Sequence, residues 1–296
     1  MIVALGDLML DITVRSSSFV LHGTDCTAQA SISPGGSAAN FAVWAARLGA
    51  EAGLIAKVGD DLFGHALLHD LEREKVVSGV VTGKEMTGFT LMILDQSGEH
   101  TMLVARGANA TLCVDELDWS LLDQADWLHL SAFSFFEDKP REAALAAVQY
   151  AKRRGKLISL DPASASYVQR TSAVAFLALA QGVDVFLPNL DEGLVLTGEH
   201  EPKRILRALL PHFPMVVLKM GKKGAIAGTR DMTVHYPGFA VPVVDQTGAG
   251  DAFAAAFVVT WLAQHDLAAA LREGNRLAAG VVQAAGARAM AALPAL

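Results

Sequence analysis

Short apolar runs alternate with helical segments along this sequence, and that alternation constrains the fold more than any other feature. The runs have the length and composition of buried strands, and they lie at residues 2–5, 127–130, 157–160, 185–187 and 216–218. Helical stretches, among them residues 141–153 and 202–210, lie between them. Because parallel strands need crossover connections, the pattern predicts an α/β fold in which helices flank a central, mainly parallel sheet.

Two regions, residues 12–33 and 87–106, depart from this pattern. They contain β-branched residues and stretches of alternating polarity, and Gln96-Ser97-Gly98 predicts a hairpin turn within the second region. Two interpretations are open: the regions pair as a small separate sheet, or they add edge strands to the main sheet. A small sheet that projects from the core needs a cover for its apolar face, which a ligand, the core or a second subunit can supply.

The length of the chain, 296 residues, corresponds to one large domain or two ordinary ones. No linker rich in proline, glycine and serine divides the sequence, and its second half continues the same strand and helix pattern. We therefore expect a single domain over residues 1–296.

The composition excludes several kinds of partner. Lys and Arg total 24 against 31 for Asp and Glu, so the formal net charge is −7 and no broad basic surface is available to bind nucleic acid. The longest apolar stretch, residues 252–263, is shorter than the ~20 residues that span a bilayer, so we expect a buried helix and no membrane segment. Only two cysteines occur, Cys26 and Cys113, which suits a reducing cytoplasm.

A glycine-rich turn at residues 245–253, with the sequence DQTGAGDAF, opens this apolar helix and is the strongest functional signal. Small residues let successive backbone N–H groups point at one spot, and the helix N-terminus adds the positive end of its dipole, so the turn can hold a phosphate. Asp251 lies in this turn. Its carboxylate is either an ordinary helix cap or the group that accepts the proton of a hydroxyl attacking the phosphate.

Two better-known phosphate motifs do not fit. No Walker A sequence occurs, because each Gly-Lys pair is followed by a residue other than serine or threonine. The turn begins like a dinucleotide fingerprint, but it reaches Phe253 where a glycine or alanine is required and does not lie in a first βαβ unit. We expect neither a P-loop enzyme nor a Rossmann dehydrogenase.

A second glycine-rich segment, PGGSAAN at residues 34–40, leads into another predicted helix. Gly35 and Gly36 let the backbone approach a ligand closely, and Asn40 can donate and accept hydrogen bonds to hydroxyl groups. Asp11, past the first strand, adds carboxylate oxygens that suit a polyol. Each feature also has an ordinary interpretation, since paired glycines are common in turns and loop aspartates are usually solvated.

The order of these motifs resembles that of the PfkB, or ribokinase-like, carbohydrate kinase family, almost from end to end. The matching segments are Asp11 after the early strand, PGGSAAN, KVGDDLFG from Lys57, RGAN from Arg106, NLDE from Asn189, and DQTGAGDAF. The resemblance implies a ribokinase-like fold in which residues 12–33 and 87–106 form a small β-sheet lid over a sugar. It further implies an ATP- and Mg²⁺-dependent kinase that phosphorylates a hydroxyl group of a small sugar or sugar derivative.

The resemblance also assigns roles to individual residues. By similarity, Asp251 takes the proton of the acceptor hydroxyl, and the amides of Gly248, Ala249 and Gly250 hold the transferred phosphate. The residues expected to bind the acceptor are Asp11, Gly35, Gly36, Asn40 and Arg106. Those expected to bind the nucleotide are Asn189, Lys219, Gly221, Gly224 and Asn275.

Cation sites are implied in the same way. Asn189 and Glu192 would order the waters around Mg²⁺, an ion that prefers to keep several of them. Asp245 and Thr247, with carbonyl groups near residues 285–287, match a site for a monovalent cation such as K⁺.

Two positions depart from the family pattern. Gln246 lies where relatives often have threonine or serine, and Ala163 lies where many hexose kinases have asparagine, which weakens an assignment to fructokinases or gluconate-type kinases. A nucleoside kinase of the same family is therefore an alternative, with Phe19, Phe89 and Phe133 as candidates for a base-binding slot. A non-catalytic sugar-binding relative is a further alternative, and an uncovered lid sheet would favour a homodimer.

Overall fold

The computed structural model describes residues 1–16, 23, 25, 27–94, 100–291 and 293–294. The strands within these residues are β1 Ile2–Leu5, β2 Met9–Ser16, β3 Ala28–Gly35, β4 Ala52–Ile55, β5 Lys57–Gly59, β6 Val77–Ser78, β7 Val81–Gly83, β8 Phe89–Leu94, β9 His100–Ala105, β10 Trp127–Ser131, β11 Leu157–Asp161, β12 Val185–Phe186, β13 Met215–Lys219, β14 Ala225–Gly228 and β15 Thr233–Tyr236. The α-helices are α1 Ser37–Arg47, α2 Leu62–Arg73, α3 Trp119–Gln124, α4 Asp138–Arg153, α5 Ala165–Thr171, α6 Ala173–Leu179, α7 Leu190–Thr197, α8 Pro202–Leu209, α9 Ala249–Gln264 and α10 Leu267–Val281.

A nine-stranded sheet forms the centre of the molecule, in the order β15-β14-β13-β12-β11-β10-β1-β4-β6. Its neighbours from β13 to β6 are parallel, and β14 and β15 extend one edge in the antiparallel sense. The prediction of a mainly parallel sheet flanked by helices is confirmed, and each of the five apolar runs forms a strand of it.

Both faces of this sheet are buried. Along β1, Ile2 and Ala4 belong to one apolar cluster, with α1, α9 and α10, while Val3 and Leu5 belong to the other, with α4 and α8. A strand with helices on both faces needs apolar side chains at every position, which is why these strands are continuous apolar runs. In the part of the chain that the structure describes, no helix combines the length and apolarity that crossing a membrane requires.

The two irregular regions supply a separate four-stranded sheet, in the order β3-β2-β8-β9. Strand β2 pairs antiparallel with β3 and parallel with β8, and β8 and β9 are antiparallel, so the sheet joins segments that are far apart in the sequence. We call it the small sheet. The predicted turn at Gln96-Ser97-Gly98 lies outside the described residues.

Two helices begin earlier than the apolar pattern predicts. Helix α1 begins at Ser37 rather than at residue 41, and α9 begins at Ala249 rather than at residue 252. Their first turns consist of small and polar residues, which carry no apolar periodicity. As a consequence Asn40 and Asp251 both lie in the first turn of a helix.

Candidate active site

Two cavities open beside the carboxyl ends of the parallel strands, where ligands bind in open α/β sheets. Cavity A has a volume of about 880 Å³ and lies between the small sheet, the ends of the central strands and the N-terminal turns of α1 and α9. Cavity B has a volume of about 980 Å³ and lies between the residues after β13, residues 238–243 and α10. Asn189, Lys219 and Gly250 line both cavities, so these residues mark the place where the two meet.

The N-terminus of α9 lies at this junction. Gly248 precedes the helix with φ 75°, and a Cβ atom on it would lie 2.6 Å from the backbone of Ala287. No side chain caps the first turn among the described residues. Ala249 N–H donates a long hydrogen bond, 3.3 Å, to the Gln246 carbonyl, and Gly250 faces both cavities. The turn therefore presents the positive end of the helix to the junction.

Asp251 is not a cap of its own helix. Its carboxylate accepts hydrogen bonds from Ser37 Oγ at 2.7 Å and from Asn40 Nδ2 at 3.0 Å, both on α1. Burial raises the pKa of Asp251 to about 6, although the hydrogen bonds from Ser37 and Asn40 lower it. The side chain is thus a carboxylate of raised basicity, fixed at the wall of cavity A.

Asp11 lies on β2, on the side of the small sheet that faces cavity A. Gly35, at the end of β3 and opposite Met9, lies close to this side chain: a Cβ atom on Gly35 would overlap the Asp11 carboxylate, so only glycine leaves room for it. Burial raises the pKa of Asp11 to about 6, with the charge of Arg288 acting in the opposite direction. The structure thereby brings three of the predicted acceptor residues, Asp11, Gly36 and Asn40, around one cavity, while Gly35 lies against the Asp11 carboxylate without lining that cavity.

Asn40 and Arg288 form a hydrogen-bonded pair beneath that group. Arg288 Nε donates to Asn40 Oδ1 at 2.9 Å, and its Nη1 donates to Asp70 Oδ2 at 2.6 Å. Because Asn40 also donates to Asp251, its amide is oriented from both ends. The side chain therefore positions Asp251 in addition to lining cavity A.

Arg106 makes a buried ion pair with Asp7. Its Nη2 donates to Asp7 Oδ1 at 2.6 Å and its Nε donates to Oδ2 at 3.2 Å. Its Nη1 is buried and has no hydrogen-bond partner in the described part of the chain, and the residue lines cavity A. Since an unsatisfied buried donor is costly, this nitrogen is suited to a ligand oxygen.

Asn189 and Glu192 cap the N-terminus of α7 reciprocally. Glu192 N–H donates to Asn189 Oδ1 at 2.9 Å, and Asn189 N–H donates to Glu192 Oε2 at 2.7 Å. These two side chains therefore have a structural role as a capping box. Both residues also line cavity A, and burial and the charge of Asp161 raise the pKa of Glu192 to about 7. A buried carboxylate with that pKa gains from a nearby cation.

Asp245 and Thr247 lie against the loop at residues 285–287. Asp245 Oδ1 accepts from Thr247 N–H at 2.9 Å and from Thr247 Oγ1 at 2.6 Å, and Oδ2 accepts from Gly286 N–H at 2.9 Å. Burial raises the pKa of Asp245, but the hydrogen bonds from Thr247 outweigh this effect and the pKa is lowered overall. The groups that the sequence assigns to a monovalent cation thus share one wall of cavity A.

Cavity B contains the other predicted nucleotide residues. Lys219, Gly221 and Gly224 line it on the side of β13. Asn275 is buried on α10, where its Nδ2 donates to the carbonyls of Tyr236 at 3.1 Å and Pro237 at 3.3 Å, so it fixes the chain that enters residues 238–243. The remaining wall is mostly apolar and includes Phe239, Val241, Pro242, Ala278, Ala279 and Val282.

The three phenylalanines proposed for a base-binding slot do not come together. Phe133 lines cavity A, where it packs edge-to-face against Tyr167. Phe89 packs against the apolar core instead and does not line cavity A, because its position on β8 faces away from it. Phe19 lies outside the described residues.

Sequence reasoning missed three contributors to the site. Ser37 lies in the PGGSAAN motif. Its position at a helix start, three residues before Asn40, could have indicated that both side chains face the same partner. Asp161 follows a predicted strand, which was a weaker signal for its ion pair with Lys219. Arg288 carried no local signal, because its partners are distant in the sequence.

Comparison with known proteins now identifies the class to which this fold and site belong. The model of the family described as "pfkB family carbohydrate kinase" matches residues 1–294. The chain belongs to that family, which confirms the resemblance seen in the motif order. It is accordingly a phosphotransferase that uses ATP and a hydroxyl acceptor.

Individual relatives agree with this assignment. A fructokinase of Klebsiella pneumoniae is 32% identical over 276 residues, which cover 88% of this chain and 89% of the relative. An Escherichia coli protein crystallised in complex with ATP and Mg²⁺ is 25% identical with a TM-score of 0.87, over 97% of this chain and 94% of that one. An adenosine kinase of Sinorhizobium meliloti shares the fold, with 23% identity and a TM-score of 0.88 over 98% and 96% of the two chains.

Proposed function

We propose that this protein transfers the terminal phosphoryl group of ATP, held in cavity B, to a hydroxyl group of a small sugar or sugar derivative held in cavity A. The observation that carries this proposal is the position of Asp251. Its buried carboxylate follows Gly250, which lines both cavities, so a proton acceptor lies beside the N-terminus of α9, whose first turn has no side-chain cap among the described residues.

Asp251 has the properties of the general base. With a pKa of about 6 it is mainly ionised near neutral pH, yet it is more basic than an ordinary aspartate. Ser37 and Asn40 hold it in place, so the hydroxyl that it accepts a proton from is oriented toward the phosphoryl group. The amides of Gly248, Ala249 and Gly250, with the dipole of α9, hold the phosphoryl oxygens.

Cavity A suits a polyol. Asp11 offers hydrogen-bond acceptors, the backbone at Gly36 allows close approach, Asn40 lines the same cavity, and Gly35 leaves room for the Asp11 carboxylate. The free Nη1 of Arg106 donates to a further oxygen of the acceptor, which satisfies the one buried guanidinium nitrogen left without a partner among the described residues.

Cation binding fits the residues present. Asn189 and Glu192 offer oxygen atoms beside the junction, which is the chemistry that Mg²⁺ prefers, with waters between. When bound, Mg²⁺ neutralises charge on the nucleotide phosphates. Asp245, Thr247 and the carbonyls at residues 285–287 are the oxygen ligands that we assign to K⁺.

The small sheet is proposed to act as a lid over cavity A, within a single domain spanning residues 1–296. If it closes on the acceptor, saturating sugar should slow amide exchange in β8 and β9 by at least about tenfold, because closure adds protection to strands that open locally. Hydrogen exchange with mass spectrometry measures this. Equal exchange with and without an accepted sugar would remove the lid function.

The outer face of the small sheet supports a homodimer. Ile32 is 58% exposed and Leu103 is 54% exposed, and neither lines cavity A. An apolar sheet face of this kind is stabilised by a second copy of itself. Cysteines without a paired motif and an acidic net charge support a place in the cytoplasm, with no nucleic-acid partner.

The pH dependence of the reaction follows from Asp251. Protonation removes the base, so kcat/KM should fall as the pH decreases through about 6 and should level off above it. Initial rates across pH in a constant-ionic-strength buffer test this. A profile that is flat down to about pH 5 would exclude a base with this pKa.

The acceptor is identified by measuring ADP release with a panel of fructose, ribose, deoxyribose, gluconate and adenosine. A nucleoside acceptor is a second candidate, favoured by Phe133 and by the apolar side chains of Met92, Leu94, Met102 and Val104 around cavity A. Release with sugars alone supports the first proposal, release with adenosine supports the second, and release with none of the five compounds contradicts both for these acceptors.

A further inference from the structure

Lys219 is the cation at the junction of the two cavities. It ends β13, and its N–H donates to the Pro188 carbonyl at 2.8 Å, which fixes the start of the side chain. Among the three residues that line both cavities it alone carries a charge, the others being Asn189 and Gly250. Its side chain therefore lies where the two cavities meet.

Three acidic side chains surround this ammonium. Lys219 Nζ donates to Asp161 Oδ2, and Glu192 and Asp251 also act on it electrostatically. Burial alone lowers the pKa of Lys219, but the charges of Asp161 and Glu192 outweigh that effect and raise it, so the group stays protonated. Buried ion pairs contribute little net stability, so stability is a weak reason for this arrangement.

The ammonium also lies against the N-terminus of α9. A Cβ atom on Gly250 would be 3.4 Å from Lys219 Nζ. A cation at the positive end of a helix dipole is unfavourable by itself, because the two have the same sign. An anion that binds between the Lys219 ammonium and the N-terminus of α9 is attracted by both. The junction is therefore preorganised for a negatively charged group.

Asp161 is held so that it can orient this lysine. Its Oδ1 accepts from Ala163 N–H at 3.0 Å, and its Oδ2 accepts from Lys219. The side chain of Asp161 is 6% exposed and that of Lys219 is 13% exposed. The carboxylate is thus fixed by its own loop, and the ammonium cannot turn away to solvent without losing that partner.

We propose that Lys219 is a catalytic residue that contacts the phosphoryl group during its transfer, and that Asp161 is the positioning residue that holds it there. The inference rests on the proposed function. The bond from the γ-phosphorus to the β–γ bridging oxygen breaks, the bond from the acceptor oxygen forms, and Asp251 takes the hydroxyl proton. Lys219 stays protonated. Its ammonium donates to the negatively charged phosphoryl oxygens while the phosphoryl group is at the junction.

The test compares four variants: Lys219→Met, Lys219→Arg, Asp161→Asn and, as a matched control, Lys223→Met. Lys223 is exposed on the same turn and lines neither cavity. We expect Lys219→Met to lower kcat by ~10²-fold or more, as removal of a preorganised transition-state donor does, while the Kd for ATP changes less than about threefold. Lys219→Arg should recover at least about tenfold of that loss, because it keeps the charge, and Lys223→Met should match the wild type.

Asp161→Asn separates positioning from folding. It keeps the size of the side chain but loosens its hold on Lys219, so kcat should fall by about tenfold with unchanged ATP affinity. Thermal unfolding of each variant shows whether the chain folds. If Lys219→Met does not fold, the inference is tested by the kcat values of Lys219→Arg and Asp161→Asn instead.

Several outcomes would overturn the inference. A kcat for Lys219→Met within about threefold of the wild type would do so, as would a loss confined to ATP affinity, which indicates binding of the nucleotide alone. Arginine no better than methionine would also contradict it. A wild type that releases no ADP with any acceptor would refute the proposed function and the inference with it. An active wild type with an equally active Lys219→Met variant would refute the inference only.

Discussion

Replacing Asp251 with asparagine should lower kcat by at least ~10²-fold, because general-base catalysis typically contributes ~10²–10⁴-fold. Asparagine has nearly the same shape and can keep a hydrogen bond with Ser37 or Asn40, so the fold of the junction should survive. The amide cannot accept the hydroxyl proton. Because we place ATP in cavity B, its Kd should change less than about threefold.

Steady-state kinetics with the best acceptor from the panel, together with calorimetric binding of ATP, measure both quantities. Asp231→Asn is the control, since Asp231 is exposed and lines neither cavity. A kcat within tenfold of the wild type would remove Asp251 from the role of base. The pH profile of the variant adds a second check: the decrease near pH 6 should become shallower, because the Asp251 carboxylate is gone while Asp11, whose pKa is also about 6, still titrates.

The architecture of the central sheet was predictable because its cause is local. Each strand of a sheet that is buried on both faces must be apolar at every position, as β1 is, and such runs are visible in a sequence. The small sheet was less certain. Its pairing of β2 with β8 joins positions such as Asp11 and Thr90, and no local pattern distinguishes that register from an extension of the main sheet.

The site divides in the same way. Glycine-rich turns such as the one at Gly248 could be recognised because backbone geometry restricts them to a few residue types. Hydrogen bonds and ion pairs between distant segments could not be recognised. Arg288 orients Asn40 from 248 positions away, and Asp161 at the end of β11 meets Lys219 at the end of β13, two strands along the sheet, so only the fold reveals these contacts.

Helix boundaries show a third limit. The first turn of α9 consists of Ala249, Gly250 and Asp251, which a hydrophobic pattern does not detect. The proposed function needs small residues with open amides and a carboxylate at these positions. Apolar periodicity therefore places the start of such a helix too late, because the small and charged residues of its first turn carry no apolar pattern.

Two glycines of this turn are expected to respond differently to the same substitution. Gly248→Ala adds a Cβ atom at a φ of 75°, where it would lie 2.6 Å from the backbone of Ala287. Neither backbone can move without displacing the loop at residues 285–287 or the start of α9. We expect the free energy of unfolding to fall by about 2–4 kcal/mol, from left-handed strain and overpacking together, and kcat to fall by ~10²-fold or more as the amides shift.

Gly250→Ala is the matched control for stability. Its Cβ atom would meet only Lys219 Nζ, at 3.4 Å, which is ordinary contact distance. Alanine in a helix is better than glycine by roughly 0.5–1 kcal/mol, so this variant should unfold at the wild-type temperature or above. Its methyl group enters the junction, where Gly250 lines both cavities, so kcat should nevertheless fall by about tenfold or more.

Thermal unfolding and steady-state rates on the two variants distinguish a structural glycine from one kept bare for the substrate. The expected result is loss of stability and activity for Gly248→Ala, and loss of activity alone for Gly250→Ala. If Gly250→Ala were fully active, the phosphoryl group would not pass over Gly250, and the path between the cavities would have to lie elsewhere. If Gly248→Ala kept wild-type stability, the close packing of the turn against Ala287 would be wrong.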